Sequence, residues 1–307
     1  MRTVFFGTPQ WAVPSLDALL ASDIEVVSVV TNPDRPAGRG MKLRPSPVKE
    51  RALGAGLEVM QPERARDPAL GATLRDLRTD VAVVVAYGSI LPQSLLDVPP
   101  LGFVNVHFSL LPSWRGAAPV QWSILSGEEV TGVSIMVLTA GMDEGPVLAM
   151  REEAIGPEDT AGTVGARLAG AGAGLLVETL PAYAAGRLEP ADQDHDRATY
   201  APKLSPEQAR LDWTREAHAL RNQIRGLNPA PGAWTSLGGE RLKVWTAESE
   251  PEPVLAPGEI SIDDEGIVAG TATTALRLTD VQLEGRRRMP GSDLARGLRI
   301  APGTHLE

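Results

Sequence analysis

Five short runs in the first half of the chain constrain its fold more than any other feature. TVFFG (3–7), IEVVSVV (24–30), VAVVVAYG (81–88), FVNVH (103–107) and GVSIMVL (132–138) are β-branched and almost wholly apolar. Strands buried on both faces have that composition, because neither face meets water. Helix starts lie between them. Ser46-Pro47 and Asp67-Pro68 each set a capping oxygen before a proline at the first helical position, where the missing N–H would have had no partner anyway. This alternation predicts an α/β domain with an open, mostly parallel, Rossmann-like sheet and helices on both faces. Sites in such sheets sit at the carboxyl ends of strands, where the strand order reverses.

A long helix is expected from Asp159-Thr160 through GTVGARLAGAGAGLLVETL, with Pro181 kinking or ending it and Gly186 closing the segment. The stretch GRLEPADQDHDRATYAPK (186–203) is polar and has no period, as a linker would. Beyond it a helix capped by Thr214 and stopped by Gly226 precedes five short strands: AWTSL, RLKVW, GEISI, GIVAG and ALRLTDVQL. Leu237-Gly238-Gly239-Glu240 makes a hairpin turn between the first two, since glycines accept positive φ. A small, partly closed barrel is expected there. The implied division is residues 1–188, a linker over 189–206, and a second domain over 207–307.

With 307 residues, the chain can bury two cores. No run approaches the about 18–20 apolar residues of a membrane span, and MRTVFFGTPQ lacks the long apolar region of a secretory signal. There is no cysteine, and the four histidines are scattered, so neither a thiolate zinc site nor a thiol nucleophile is available. A cytoplasmic, metal-free protein is expected. The net charge of −10 argues against a polyanionic partner, yet Thr31–Arg51 carries six Lys/Arg against two Asp/Glu. An acidic body with one basic loop can still engage nucleic acid through that loop. Loops that long without secondary structure are uncommon, and are either functional or simply solvated.

Chemistry concentrates in NVHFSLLPSWRGAAP, Asn105 to Pro119. Asn105 and His107 are two apart on a strand and project to one face. Asp143 lies in TAGMDEGPV, the glycine-flanked loop after the strand at 132–138, which can bring a carboxylate to the same sheet edge. Together, an amide to stabilise an oxyanion, an imidazole to move a proton and a carboxylate to orient it suit acyl transfer. No side-chain nucleophile accompanies them, so the two substrates would react directly. Taken singly, each has a structural reading too: a hydrogen-bonded histidine, or turn-forming Asn and Asp. FGTPQW (6–11) holds one glycine rather than three, and no phosphate-loop motif occurs. Both facts count against nicotinamide or nucleotide-hydrolysing enzymes.

The stretches NVHFSLLPSWRGAAPVQWSI and GMDEGPVL resemble the signature of the formyltransferases that use 10-formyltetrahydrofolate. The likeness extends nearly end to end, through FFGTP, TNPDRPAGRGMKLRPSPVK, VVVAYGSILP, EDTAGT, KLSPEQARLDW, NPAPGAW and KVWTAE, and is nearest to the branch acting on methionyl-tRNA. The resemblance implies that Asn105, His107 and Asp143 are the catalytic trio, and that Ser109, Leu110, Leu111 and Pro112 form the folate-contacting loop. It implies that Arg39, with Lys42 and Arg44, meets the acceptor stem of the tRNA. It also implies an OB-like barrel at the C-terminal side that helps hold the tRNA, with Arg286-Arg287-Arg288 either a phosphate contact or a solvated face. The implied reaction moves the formyl group of 10-formyltetrahydrofolate to the α-amino group of methionyl initiator tRNA, in a monomer without metal. Rival readings are a formyltransferase acting on an amino sugar nucleotide, a folate hydrolase, or a non-catalytic RNA-binding protein. Phe108 departs from many relatives, but it points away from His107 and should not disturb the trio.

Overall fold

A computed structural model describes residues 1–37, 42–297 and 304–307. The chain forms two compact units. The first is Met1–Pro119 with Val130–Ala154 and Gly165–Ala201; the second is Val120–Glu129 with Ile155–Val164 and Pro202–Glu307. Among the described residues no helix is long and apolar enough to cross a membrane.

The strands of the first unit are β1 (Arg2–Gly7), β2 (Glu25–Val30), β3 (Arg35–Ala37), β4 (Lys42–Arg44), β5 (Val59–Met60) and β6 (Val81–Val85). They continue with β7 (Phe103–His107), β8 (Arg115–Gly116), β9 (Val130–Val137), β10 (Val147–Ala154) and β11 (Tyr200–Ala201). Seven of them make one sheet in the order β10-β9-β7-β6-β1-β2-β5. The pairings from β7 through β5 are parallel, whereas β9 and β10 run antiparallel at one side. The order reverses between β1 and β6, as expected of a doubly wound sheet.

Both expected helix starts form. Ser46 Oγ accepts from the Lys49 N–H and Asp67 accepts from the Ala69 N–H, each just ahead of its proline; such caps contribute about 1 kcal/mol apiece. The long helix Ala161–Ala184 passes through Pro181 without ending there. The proline sits in the last turn, so it removes one donor close to where the bonding would stop. From Gly165 on, this helix belongs to the first unit. Its Gly172 lies so near Val106 and Val133 that a methyl group there would be 2.7 and 3.0 Å from them. The opposite face of the sheet packs Phe6, Ala82, Val84 and Phe103 against Leu70 and Leu74 of one helix and Leu95 and Leu96 of another.

The basic loop is not structureless. β3 and β4 pair as an antiparallel ribbon, with Arg35 opposite Arg44 and Ala37 opposite Lys42. Its base is a hydrogen-bonded cluster: Lys49 Nζ donates to Asp34 and to Gln61, and the Gln61 amide donates to Asp34 and to the Asn32 carbonyl. The Lys49 and Gln61 bonds hold the Asp34 carboxyl below its ordinary range.

In the second unit the strands are β12 (Ala233–Leu237), β13 (Glu240–Glu250), β14 (Ile260–Asp263), β15 (Gly266–Gly270), β16 (Ala275–Leu283) and β17 (Met289–Pro290). They run in the order β12-β13-β16-β15-β14, with β17 on β16. The turn at Gly238-Gly239 has φ of 60° and 84°, the left-handed pair that a two-residue hairpin requires. Segment Thr304–Glu307 bonds to both sides of this path, exchanging bonds with Ser236 on β12 and reaching Gly258 and Ile260 at β14. Those bonds tie this segment to both outer strands of the antiparallel sheet. The helix Ala217–Gly226 shares a buried apolar cluster with this sheet, and begins three residues after the expected Thr214 cap. Thr214 instead donates to Asp212 at 2.6 Å, and the Ala217 N–H finds Thr273 Oγ1 at 3.1 Å.

Candidate active site

Strand β7 places the site. Phe103 packs in the apolar cluster on one face while Val106 meets the long helix on the other, so the two-residue period sets Asn105 and His107 on the Phe103 face. Phe108 turns the other way, edge-on to Trp11 at 6.1 Å between ring centres. Asn105 and His107 are only 8% and 5% exposed. Among the described residues the Asn105 carboxamide bonds to no protein group, although a buried amide ordinarily finds partners.

His107 is oriented by the loop that follows it. Its Nε2 lies 3.0 Å from the Trp114 carbonyl; since a carbonyl can only accept, Nε2 carries the proton. Nδ1 then faces Asp143, whose Oδ2 is 3.7 Å away, outside hydrogen-bonding distance. Asp143 is held independently: Oδ2 accepts the Gly116 N–H at 2.8 Å, and its backbone is left-handed at φ 50°. A non-glycine residue at such φ signals a conformation imposed by its surroundings.

The route of Asp143 to His107 differs from a simple strand-end meeting. Because β9 is antiparallel to β7, His107 pairs with Ser134 and Val104 with Val137. The loop after β9 therefore leaves near the start of β7, with Leu138 on the Phe103-side cluster, and runs back to reach His107. Asp143 approaches over the sheet face that Asn105 and His107 share.

Of the SLLP segment, Ser109 and Leu111 turn inward. Ser109 Oγ donates to the Ser113 carbonyl at 2.6 Å, and Ser134 Oγ bridges the Ser109 carbonyl and the Leu111 N–H. Leu111 packs with Met136 and Val147. Leu110 and Pro112 stay half-buried, with the Leu110 side chain lying over Gly132. Lys42 and Arg44 are exposed on β4. Arg35 and Arg44 oppose one another there, a like-charge pairing that costs stability. Arg39 lies outside the described residues.

The family pattern described as Formyl transferase matches residues 1–180, and Formyl transferase, C-terminal domain, matches residues 203–299. The chain belongs to the formyl transferase family. Relatives named methionyl-tRNA formyltransferase match it along its whole length. That of Nocardioides sp. is 48% identical over 309 residues, covering 100% of this chain and 98% of the relative. That of Thermobifida fusca is 50% identical over 304 residues, covering 99% and 98%. Solved structures share the formyl transferase fold at low identity. An N-formyltransferase from Helicobacter canadensis, in complex with folinic acid and dTDP-3-aminofucose, superposes with a TM-score of 0.68 at 16% identity, covering 94% of this chain and 99% of that one. HypX from Aquifex aeolicus, in complex with tetrahydrofolic acid, gives 0.67 at 18% identity, covering 96% of this chain and 46% of HypX. This chain thus spans about half of HypX.

Residues that support this candidate site carry little signal in the sequence. The Trp114 carbonyl, the Gly116 N–H, Arg115, Gln193 and Thr199 all brace it, and Thr199 Oγ1 takes the Trp114 N–H at 2.8 Å. β8 pairs with β11 in the segment read as a linker. Only the glycine at 116 carried a local signal.

Proposed function

We propose that the chain transfers the formyl group of 10-formyltetrahydrofolate to the α-amino group of methionyl initiator tRNA, in translation initiation. The full-length identity with relatives named methionyl-tRNA formyltransferase carries this reading; membership of the family supports a folate-type formyl donor. Residues 1–188 serve as the catalytic domain, 189–206 as the connection and 207–307 as the OB-like tRNA-binding domain. The enzyme works in the cytoplasm as a monomer.

The neutral α-amine attacks the formyl carbon, forming the new C–N bond and placing charge on the formyl oxygen. Asn105 donates to that oxygen, and a proton on His107 Nδ1 does the same. Nδ1 is the available nitrogen because Nε2 is bonded to Trp114 and the 3.7 Å gap to Asp143 leaves Nδ1 unbonded. His107 enters the reaction as the imidazolium, with a proton on each ring nitrogen, and Asp143 balances its positive charge. The bond to N10 then breaks, and the proton given up by the amine ends on N10, so tetrahydrofolate leaves. Leu110 and Pro112, with the braced SLLP backbone of Ser109 and Leu111, hold the folate. Arg39, Lys42 and Arg44 meet the tRNA.

Tetrahydrofolate release from the donor, measured with charged initiator tRNA, uncharged tRNA and a nucleotide-linked amino sugar, tests the reading. Release should occur with the charged tRNA alone; equal release with the amino sugar would sink it, and release without any acceptor would make the protein a hydrolase. Arg39→Glu should raise the KM for methionyl-tRNA, leave that for the folate unchanged and lower the log–log salt slope by about one. An unchanged tRNA KM would remove the basic ribbon from the account.

A further inference from the structure

Gln193 links the two loops that hold the reacting groups. It is 7% exposed and uses its whole amide. Nε2 donates to the Asp143 carbonyl at 2.8 Å and to the Gly145 carbonyl at 2.6 Å. Oε1 accepts from Arg115 Nε at 3.0 Å and Nη2 at 2.7 Å. A flipped amide would set N–H against guanidinium and oxygen against two carbonyls, so this orientation is the one the network permits. Arg115 lies between Trp114, whose carbonyl orients His107, and Gly116, whose N–H anchors the Asp143 carboxylate. Gln193 itself is fixed on both sides in sequence: Ala191 exchanges backbone bonds with Val147, and Thr199–Ala201 runs along β8. Arg115 is 3% exposed and, among the described residues, bonds only to Gln193 and His195 through its side chain.

We infer that Gln193 is a positioning residue for formyl transfer, setting the distance between Asp143 and His107 by tying the Asp143 loop to Arg115. This rests on the function proposed above. Nothing in the local sequence marks Gln193, which comes from a polar, unperiodic stretch.

The test compares Gln193→Met in the native and Asp143→Asn backgrounds under single-turnover conditions with formyl donor and charged initiator tRNA. In the native background the rate should fall about 10²-fold, the scale of a misplacement near 1 Å, with the half-saturating concentration of each substrate unchanged and the pH profile of the single-turnover rate displaced. In the Asp143→Asn background the same substitution should cost little more, because its effect runs through Asp143. Equal losses in both backgrounds, or none in the native one, would overturn the inference. Native turnover in Asp143→Asn alone would instead bring down the catalytic assignment on which it rests. If Gln193→Met does not fold, Gln193→Glu, which keeps the acceptor for Arg115 and removes both donors, carries the same comparison. Failure of both to fold would make Gln193 purely structural and also overturn the inference.

Discussion

Asn105→Ala should lower turnover by about 10²–10³-fold, the usual cost of one oxyanion donor, while leaving folate binding and thermal stability nearly untouched. The unusual part is the stability. A buried asparagine is ordinarily tied to neighbours whose own groups are stranded when it is removed, at about 1–3 kcal/mol. Asn105 has no such neighbour among the described residues, so its truncation strands nothing. His107→Ala should show a rate loss of the same scale together with a stability loss, because it removes the bond between the ring and the Trp114 carbonyl. Rates, folate titration and melting of the two variants, measured side by side, separate these outcomes. A rate near normal in Asn105→Ala would remove the amide from the mechanism.

Gly116→Ala should be the most damaging change outside the trio. Gly116 has φ of 123°, and a Cβ there would lie 2.8 Å from the Ala201 carbonyl oxygen. A side chain must push β8 from β11, and the strained backbone alone costs about 1–3 kcal/mol. The same shift moves the N–H that holds Asp143 Oδ2. A displacement near 1 Å translates into about 10²-fold in rate. Expected, then, are a lowered melting temperature and a large loss in kcat with the folate KM preserved. Native kcat in a folded Gly116→Ala would show that the Asp143 anchor is dispensable.

Much of this was legible in advance because the governing rules are local. Two-residue alternation puts Asn105 and His107 on one face whatever the tertiary fold does. A capping oxygen before proline marks helix starts at Ser46 and Asp67, and a glycine pair marks the turn at 238–239. Where packing decides, the sequence was silent or misleading. β10 has no apolar strand signature because its run Met150–Glu153 is mostly exposed and charged, as befits the outermost strand of a sheet. The polar, unperiodic stretch 186–203 gives no sign that Gln193 bonds inside the fold. Thr214 looked like a cap, whereas Asp212 takes its hydroxyl and Thr273 supplies the cap from 56 residues away. Asp143 was placed at the right neighbour for an incomplete reason. Its loop departs from the far end of β7 and returns, a path set by the antiparallel pairing of β9.

The geometry itself can be measured directly, in a crystal structure of the protein with a non-reactive analogue of 10-formyltetrahydrofolate. The formyl oxygen should lie about 2.6–3.2 Å from both Asn105 Nδ2 and His107 Nδ1, with the pterin side against Leu110 and Pro112. A formyl oxygen turned away from both nitrogens would contradict it.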